Sequence, residues 1–118
     1  MTDKQYYTIF SDAASSAGNL DCSAFVSDWA TSSIWGDTID APIPQGRIDA
    51  IKAIWNDAHI TIRDIRAKTG LTQAAFAVHF CIPKRTIEAW ETGDRKCPPY
   101  VRLLLARAVG LAKENNNS

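Results

Sequence analysis

Residues 70–93 have the sequence GLTQAAFAVHFCIPKRTIEAWETG, and this stretch decides the fold. Apolar residues at helical spacing predict one short helix from about Gln73 to Phe80 and a second from about Pro83 to Thr92. Thr72 is placed to cap the first helix, because its hydroxyl can accept a hydrogen bond from a first-turn N–H group. Pro83 suits the first turn of the second helix, where its missing N–H costs nothing.

The second helix has an inward and an outward face. Ile87 and Trp90 are three residues apart and point toward the core, as Phe76, Ala77 and Phe80 do on the first helix, so we expect Trp90 to be buried. Lys84 and Arg85 then lie on the outward face. Two short helices joined by a tight corner form a helix-turn-helix, whose second helix can enter the major groove of DNA.

These residues resemble the lambda and Cro repressor-type helix-turn-helix, also called the xenobiotic-response-element regulator family. The resemblance is carried by Leu-Thr-Gln-x-x-Phe-Ala at 71–77 and Ile-Pro-x-Arg-Thr-Ile-x-x-Trp-Glu-x-Gly at 82–93, and it covers residues 60–110. It implies an all-α, lambda-repressor-like helical bundle. One position departs from the pattern, because the family usually has glycine in the corner, where this chain has Cys81. A side chain in a left-handed corner costs about 1 kcal/mol.

We assign the expected DNA contacts from the orientation that the second helix of such a motif has in the groove. Its N-terminal turn faces base edges in such motifs, so we expect Lys84 and Arg85 to contact bases, with Arg85 donating two hydrogen bonds to guanine. Ala89, one turn further along, can pack on a thymine methyl group. The resemblance implies that Gln73 binds a phosphate. The other residues expected to contact the DNA backbone flank the groove: Thr72, Thr86, Thr92, Arg95 and Lys96.

Four other charged residues near the predicted DNA-binding surface are expected to have structural roles. The resemblance implies that Arg66 pairs with Glu91 and so braces the second motif helix. Arg102 and Arg107 fit an ordinary solvated face of the last helix.

Acidic and basic side chains are concentrated in different parts of the chain, although the 118 residues together have a formal net charge of zero. Residues 1–46 contain one basic and six acidic side chains, which gives −5. Residues 61–110 contain nine basic and four acidic side chains, which gives +5. The positive part coincides with the predicted helix-turn-helix, as contact with phosphates requires.

Three segments follow from these patterns. Residues 1–46 form an acidic helical arm and linker, with helices from about 3 to 17 and 21 to 31. Residues 47–110 form the DNA-binding domain, and residues 111–118 form a disordered tail. A Thr61–Asp64 capping box opens a helix that Gly70 closes. A last helix begins at Pro98-Pro99 and ends at Gly110, with four residues expected to face inward: Val101, Leu104, Leu105 and Ala108.

Several functional classes are disfavoured. No apolar run approaches the roughly 18 residues needed to cross a bilayer, and the N-terminus lacks an apolar signal core, so we expect no membrane contact and a cytoplasmic protein. Cys22, Cys81 and Cys97 are odd in number and lack metal-like spacing, so we expect reduced, mostly buried thiols. His59 and His79 suggest an interhelical and a surface histidine, and there is no glycine-rich phosphate loop. We therefore expect no enzyme, metal or cofactor.

The sequence thus predicts a bacterial transcriptional regulator that binds double-stranded DNA as a homodimer and represses transcription. Two alternatives stay open. One is an antitoxin that binds its own operator while the acidic, aromatic-rich arm neutralises a toxin. The other is an interaction adaptor whose helix-turn-helix no longer binds DNA.

Overall fold

A computed structural model describes residues 1–15, 21–37 and 41–115. These residues form α-helices, one short 3-10 helix and no β-strand, which confirms the all-α class. Within these ranges, no helix is both long and apolar enough to cross a bilayer. The helices are α1 (Asp3–Ser15), α2 (Cys22–Ala30), the 3-10 helix (Ser33–Trp35), α3 (Gln45–Ala58), α4 (Ile62–Thr69), α5 (Gln73–Phe80), α6 (Lys84–Thr92) and α7 (Pro99–Val109). The end of the helix predicted from about 3 to 17 lies outside the described residues, as do residues 38–40 of the predicted arm and linker.

The chain divides into two compact units. The first comprises Met1–His59 and Asn115–Ser118, and the second comprises Ile60–Glu114. Helix α3 packs against α1 and α2 in the first unit, whereas the sequence placed this helix in the DNA-binding domain that begins at residue 47. The boundary between the units therefore lies between His59 and Ile60, and the acidic arm is part of a three-helix unit.

Aromatic and aliphatic side chains build the core of the first unit. Its buried residues come from all three helices: Tyr6, Ile9, Phe10, Ala13, Phe25, Val26, Ala30, Ile51, Ile54 and Ala58. The hydroxyl group of the buried Tyr6 is hydrogen-bonded, because Tyr6 Oη donates to Asp57 Oδ2 at 2.9 Å. Arg47 pairs with Asp37 and lies 4.7 Å above the Trp35 ring. The arm that precedes α3 is thus held by specific contacts of its aromatic and charged side chains.

The second unit begins with the predicted capping box. Thr61 Oγ1 accepts from Asp64 N and Asp64 Oδ2 accepts from Thr61 N, both at 3.1 Å. Gly70 ends α4 with φ 72°, a left-handed conformation that glycine adopts without steric cost. Helix α4 packs against α6 and α7, and α5 packs against α6. The fully buried side chains Ile65, Phe76 and Ile87 lie between these helices.

Three predictions of burial were wrong. Leu104 is 58% exposed and Ala108 is exposed, whereas Leu103 and Ala106 are buried. Leu105 is buried as predicted, so the buried face of α7 comprises Leu103, Leu105 and Ala106 and is rotated away from Leu104 and Ala108. Trp90 is half-buried, so it borders the core and does not fill it.

The C-terminal segment continues past α7. The backbone N–H groups of Leu111 and Ala112 donate to Ala106 O at 2.9 and 3.2 Å, and Ala112 is buried. Asn115 Nδ2 donates to Met1 O at 3.2 Å and to Asp3 Oδ1 at 3.0 Å within the first unit. Residues 111–115 of the predicted disordered tail therefore make specific contacts, and residues 116–118 lie outside the described residues.

Candidate nucleic-acid interface

The corner between α5 and α6 is a left-handed turn. Thr72 Oγ1 accepts from Ala75 N at 3.1 Å and begins α5, as predicted. Cys81 ends α5 with φ 56° and ψ 39°, and Ile82 N donates back to Ala77 O at 2.9 Å. Within the described ranges, Cys81 is the non-glycine residue with positive φ. The strain expected from the absence of glycine is therefore present in the backbone, and the turn directs the chain into α6.

The first turn of α6 presents two adjacent cations. Lys84 and Arg85 are both exposed, whereas Ile87 on the opposite side of the helix is fully buried. Lys84 Nζ lies 3.6 Å from Glu88 Oε1, one helical turn away. An exposed pair of this kind contributes only about 0.3–0.5 kcal/mol, so it does not prevent Lys84 from binding another anion. Both side chains are thus available to a ligand.

The other expected contact residues on α6 are less accessible. Thr86 and Ala89 are half-buried, so each offers only part of its side chain. Thr92 is exposed, but its Oγ1 donates to Ala89 O at 3.3 Å and accepts from Asp94 N at 3.5 Å. Its hydroxyl therefore stabilises the end of α6 in this state.

The remaining basic residues lie at the other end of α6. Arg95 and Lys96 are exposed in the segment that follows Thr92. Since the nine-residue helix is about 13 Å long at 1.5 Å per residue, they are separated from Lys84 and Arg85 by its whole length. The exposed cations therefore lie at the N-terminal turn of α6 and in the segment beyond its C-terminal end.

Glu91 joins three helices through one carboxylate. Arg66 Nη2 donates to Oε1 at 2.8 Å and Arg66 Nε donates to Oε2 at 3.0 Å, which confirms the expected pair. Gln73 Nε2, at the start of α5, also donates to Oε2 at 3.3 Å. The Glu91 side chain is only 2% exposed. The hydrogen bonds from Arg66 outweigh desolvation and hold the pKa of Glu91 below its ordinary value of 4.5. The carboxylate is therefore ionised and fixes α4, α5 and α6 relative to one another.

Two basic residues make contacts that the sequence analysis did not predict. Arg102, expected on a solvated face, is half-buried and its Nη1 donates to Ile60 O at 2.8 Å. Arg63 Nε lies 3.9 Å from Glu91 Oε1. The sequence contained a signal for the position of Arg63, because Arg63 and Arg66 are three residues apart and therefore share one face of the helix.

The cysteines and histidines provide no metal site in the part of the chain that the structure describes. No cluster of three His, Cys, Asp or Glu side chains is placed to hold a metal ion in these ranges. Cys81 and His79 are exposed, Cys22 is half-buried and Cys97 is buried, so the expectation of mostly buried thiols was wrong. Burial raises the pKa of the Cys97 thiol to about 11, which keeps it protonated at neutral pH.

The second unit is the basic one. Residues 60–114 contain ten basic and five acidic side chains, net +5, whereas residues 1–59 contain three basic and eight acidic side chains, net −5. No protein-family model matches the chain, and no curated protein or solved structure is significantly similar to it. A functional proposal therefore depends on the residues and geometry described above.

Proposed function

We propose that this chain is a sequence-specific transcriptional regulator that binds double-stranded DNA through a lambda/Cro repressor-type helix-turn-helix formed by α5 and α6. The observation that carries the proposal is the pair of exposed cations, Lys84 and Arg85, in the first turn of a helix whose other face is buried. We infer that the protein acts as a homodimer and represses transcription by occupying a promoter.

The dimensions of α6 suit a DNA groove. A helix with its side chains is about 10–12 Å across, and the major groove of B-DNA is about 12 Å wide. Arg85 can donate two hydrogen bonds to O6 and N7 of guanine, and each such bidentate contact discriminates against a wrong base by about 1–3 kcal/mol. Lys84 can contact a neighbouring base as a point charge.

Anchoring of α6 supports this role. Ile87 is fully buried, and Glu91 is held by Arg66 and Gln73. A side chain reads a base edge only when the helix that carries it has a fixed direction, since hydrogen bonds require distances near 3 Å and good alignment. These contacts supply that rigidity at the inner face and at the C-terminal end of the helix.

The positive unit supports binding to the DNA backbone. Each phosphate contact releases counterions, so the logarithm of affinity falls with the logarithm of salt concentration by about 0.9 per contact. One helix-turn-helix contacts few base pairs, so two copies about one helical turn of DNA apart give useful affinity. The proposed contacts with the DNA backbone are Arg95, Lys96, Gln73 and Thr72. Thr92 and Thr86 contribute less, because the Thr92 hydroxyl is already hydrogen-bonded and the Thr86 side chain is partly buried.

Selection from a random pool of duplex DNA tests the proposal. The full chain is expected to enrich a pseudo-palindromic sequence and to bind it with a steep salt dependence. A double variant, Lys84→Gln with Arg85→Gln, is expected to lose the preference for the selected sequence. The matched variant Arg95→Gln with Lys96→Gln removes the same charge and is expected to weaken selected and scrambled DNA alike. A chain that retains no DNA at low salt would show that the proposal is incorrect.

A further inference from the structure

Arg63 lies beside the Glu91 carboxylate without being needed to neutralise it. Arg66 already bonds both oxygens of Glu91, at 2.8 and 3.0 Å. Arg63 Nε is 3.9 Å from Oε1, which is beyond hydrogen-bond distance, and the Arg63 side chain is 69% exposed. The Arg63 side chain makes no hydrogen bond to any residue in the described ranges. Its guanidinium donors therefore face solvent, next to a carboxylate that is already satisfied.

The position of Arg63 does not favour a purely structural role. Arg63 is the second residue of α4, and a cation in the first turn opposes the positive end of the helix dipole. An exposed ion pair at 3.9 Å adds little stability. With two guanidinium groups against one carboxylate, the cluster has a net charge of +1. The excess positive charge of the cluster lies on the solvent-exposed side chain of Arg63.

Gln73 approaches the same carboxylate from the other side. Gln73 Nε2 donates to Glu91 Oε2, while Arg63 lies at Oε1. Gln73 is also the first residue of α5, where the backbone N–H groups have no acceptors within the helix. Arg63 and Gln73 thus approach the two oxygens of one buried carboxylate from two different helices.

We infer that Arg63 is a further DNA-backbone contact, which acts beside Gln73 on one short stretch of phosphates. This inference rests on the proposed DNA-binding function. The Arg63 guanidinium lies 3.9 Å from the Glu91 carboxylate, and this distance leaves its hydrogen-bond donors unsaturated. A phosphate, which has accessible oxygens and a full charge, then competes effectively for the free donors of Arg63.

Matched charge variants on α4 test the inference. Arg63→Gln and Lys68→Gln each remove one exposed cation from the same helix, but Lys68 is in the last turn and has no contact with Glu91. Binding of selected and scrambled duplexes is measured across a range of salt concentrations. Arg63→Gln is expected to lower the salt slope by about 0.9 and to weaken both duplexes by the same factor. Arg63→Lys, which keeps the charge, is expected to restore the slope, and Lys68→Gln to leave it unchanged.

Ethylation of single DNA phosphates locates the contact. In the wild-type complex, ethylation at the phosphates bound by Arg63 is expected to reduce binding, and Arg63→Gln is expected to be insensitive at one of those positions. An unchanged slope in Arg63→Gln, or an equal loss in Lys68→Gln, overturns the inference while leaving DNA binding intact. If the wild-type chain retains no DNA, the proposed function fails and the inference fails with it. Thermal unfolding followed by circular dichroism verifies that each variant is folded.

Discussion

Arg66 on α4 holds Glu91 on α6 through two parallel hydrogen bonds, from Nε to Oε2 at 3.0 Å and from Nη2 to Oε1 at 2.8 Å. The third nitrogen, Nη1, donates to Leu71 O at 3.2 Å in the turn before α5. One planar guanidinium therefore connects three helical segments. Because a bidentate pair restricts both distance and angle, it sets the direction of α6 more firmly than apolar packing alone.

Glu91→Gln tests the strength of this connection. The variant keeps the shape of the side chain but removes its charge and one acceptor. We expect the free energy of unfolding at neutral pH to fall by about 1–3 kcal/mol, the usual cost of leaving a buried partner unsatisfied. Urea denaturation followed by circular dichroism measures the change. Glu88→Gln, which removes an exposed carboxylate from the same helix, serves as the control and is expected to change stability by less than about 0.5 kcal/mol.

The pH dependence of stability gives a second test of the same pair. The hydrogen bonds from Arg66 lower the folded-state pKa of Glu91 below 4.5. A carboxylate with a depressed pKa stabilises the fold fully above its unfolded pKa and loses this contribution as the pH falls through the folded value. The stability difference between wild type and Glu91→Gln is therefore expected to be constant above about pH 5.5 and to shrink below about pH 4.5. Parallel profiles down to pH 2 would contradict the assigned pair.

Arg85→Ala is expected to separate specific from non-specific binding. If Arg85 donates two hydrogen bonds to one guanine, its loss removes about 1–3 kcal/mol of discrimination at a single base pair. Binding to scrambled DNA should change little. Lys96→Ala removes a proposed phosphate contact and is expected to weaken all sequences equally. Competition binding with single-base substitutions across the selected site measures both effects. Full retention of the base preference in Arg85→Ala would show that α6 has a different orientation on DNA.

Truncations distinguish two of the large aromatic residues of the motif, Phe76 and Trp90. Phe76 is fully buried, so Phe76→Ala is expected to cost about 3–5 kcal/mol. Trp90 is half-buried, so Trp90→Ala is expected to cost less than Phe76→Ala. Chemical denaturation of both variants measures the loss in free energy of unfolding and shows which loss is larger. A larger loss for Trp90→Ala would contradict the position of Trp90 at the border of the core.

Cys81→Gly is expected to stabilise the corner. Cys81 has φ 56°, and its side chain is exposed, so little packing is lost on removal. A left-handed conformation costs a non-glycine residue about 1 kcal/mol, part of which glycine recovers despite its larger unfolded-state entropy. A rise in thermal midpoint is the expected result. Cys81→Ser keeps a side chain at this φ and controls for loss of the thiol, so it should show no such rise.

Local signals in the sequence were sufficient for the α4–α5–α6 segment. The helix ends at Thr61, Gly70, Thr72 and Gly93 were predicted and confirmed, because capping and left-handed conformations depend on single residues and their neighbours. The Arg66–Glu91 pair followed from the resemblance. These features require little knowledge of distant parts of the chain.

Features that depend on long-range packing were not predictable in the same way. The inward face of α7 was ambiguous, because Leu103, Leu104 and Leu105 satisfy either choice. The apolar stripe of α3 identifies a helix but not its partners, and these proved to be α1 and α2. The position of Arg63 near Glu91 depends on how α4 and α6 pack. Only the assembled unit brings these residues together.

Two fragments with different starting residues test the division into units. A fragment of residues 60–118 contains the whole second unit together with residues 115–118 of the first, whereas a fragment of residues 44–118 also retains α3 without α1 and α2. Because Ile51 and Ile54 are buried in the first unit, the longer fragment is expected to expose them and to aggregate or bind a hydrophobic dye. The shorter fragment is expected to remain folded and monodisperse, with modest stability for its size. We further expect the first unit to support self-association, so the shorter fragment should bind one half-site of the selected DNA nearly as well as the full chain does, and two half-sites less well. Sedimentation and half-site titrations measure these properties. If the shorter fragment forms dimers as readily as the full chain, self-association resides in the second unit, and the acidic first unit serves another protein partner.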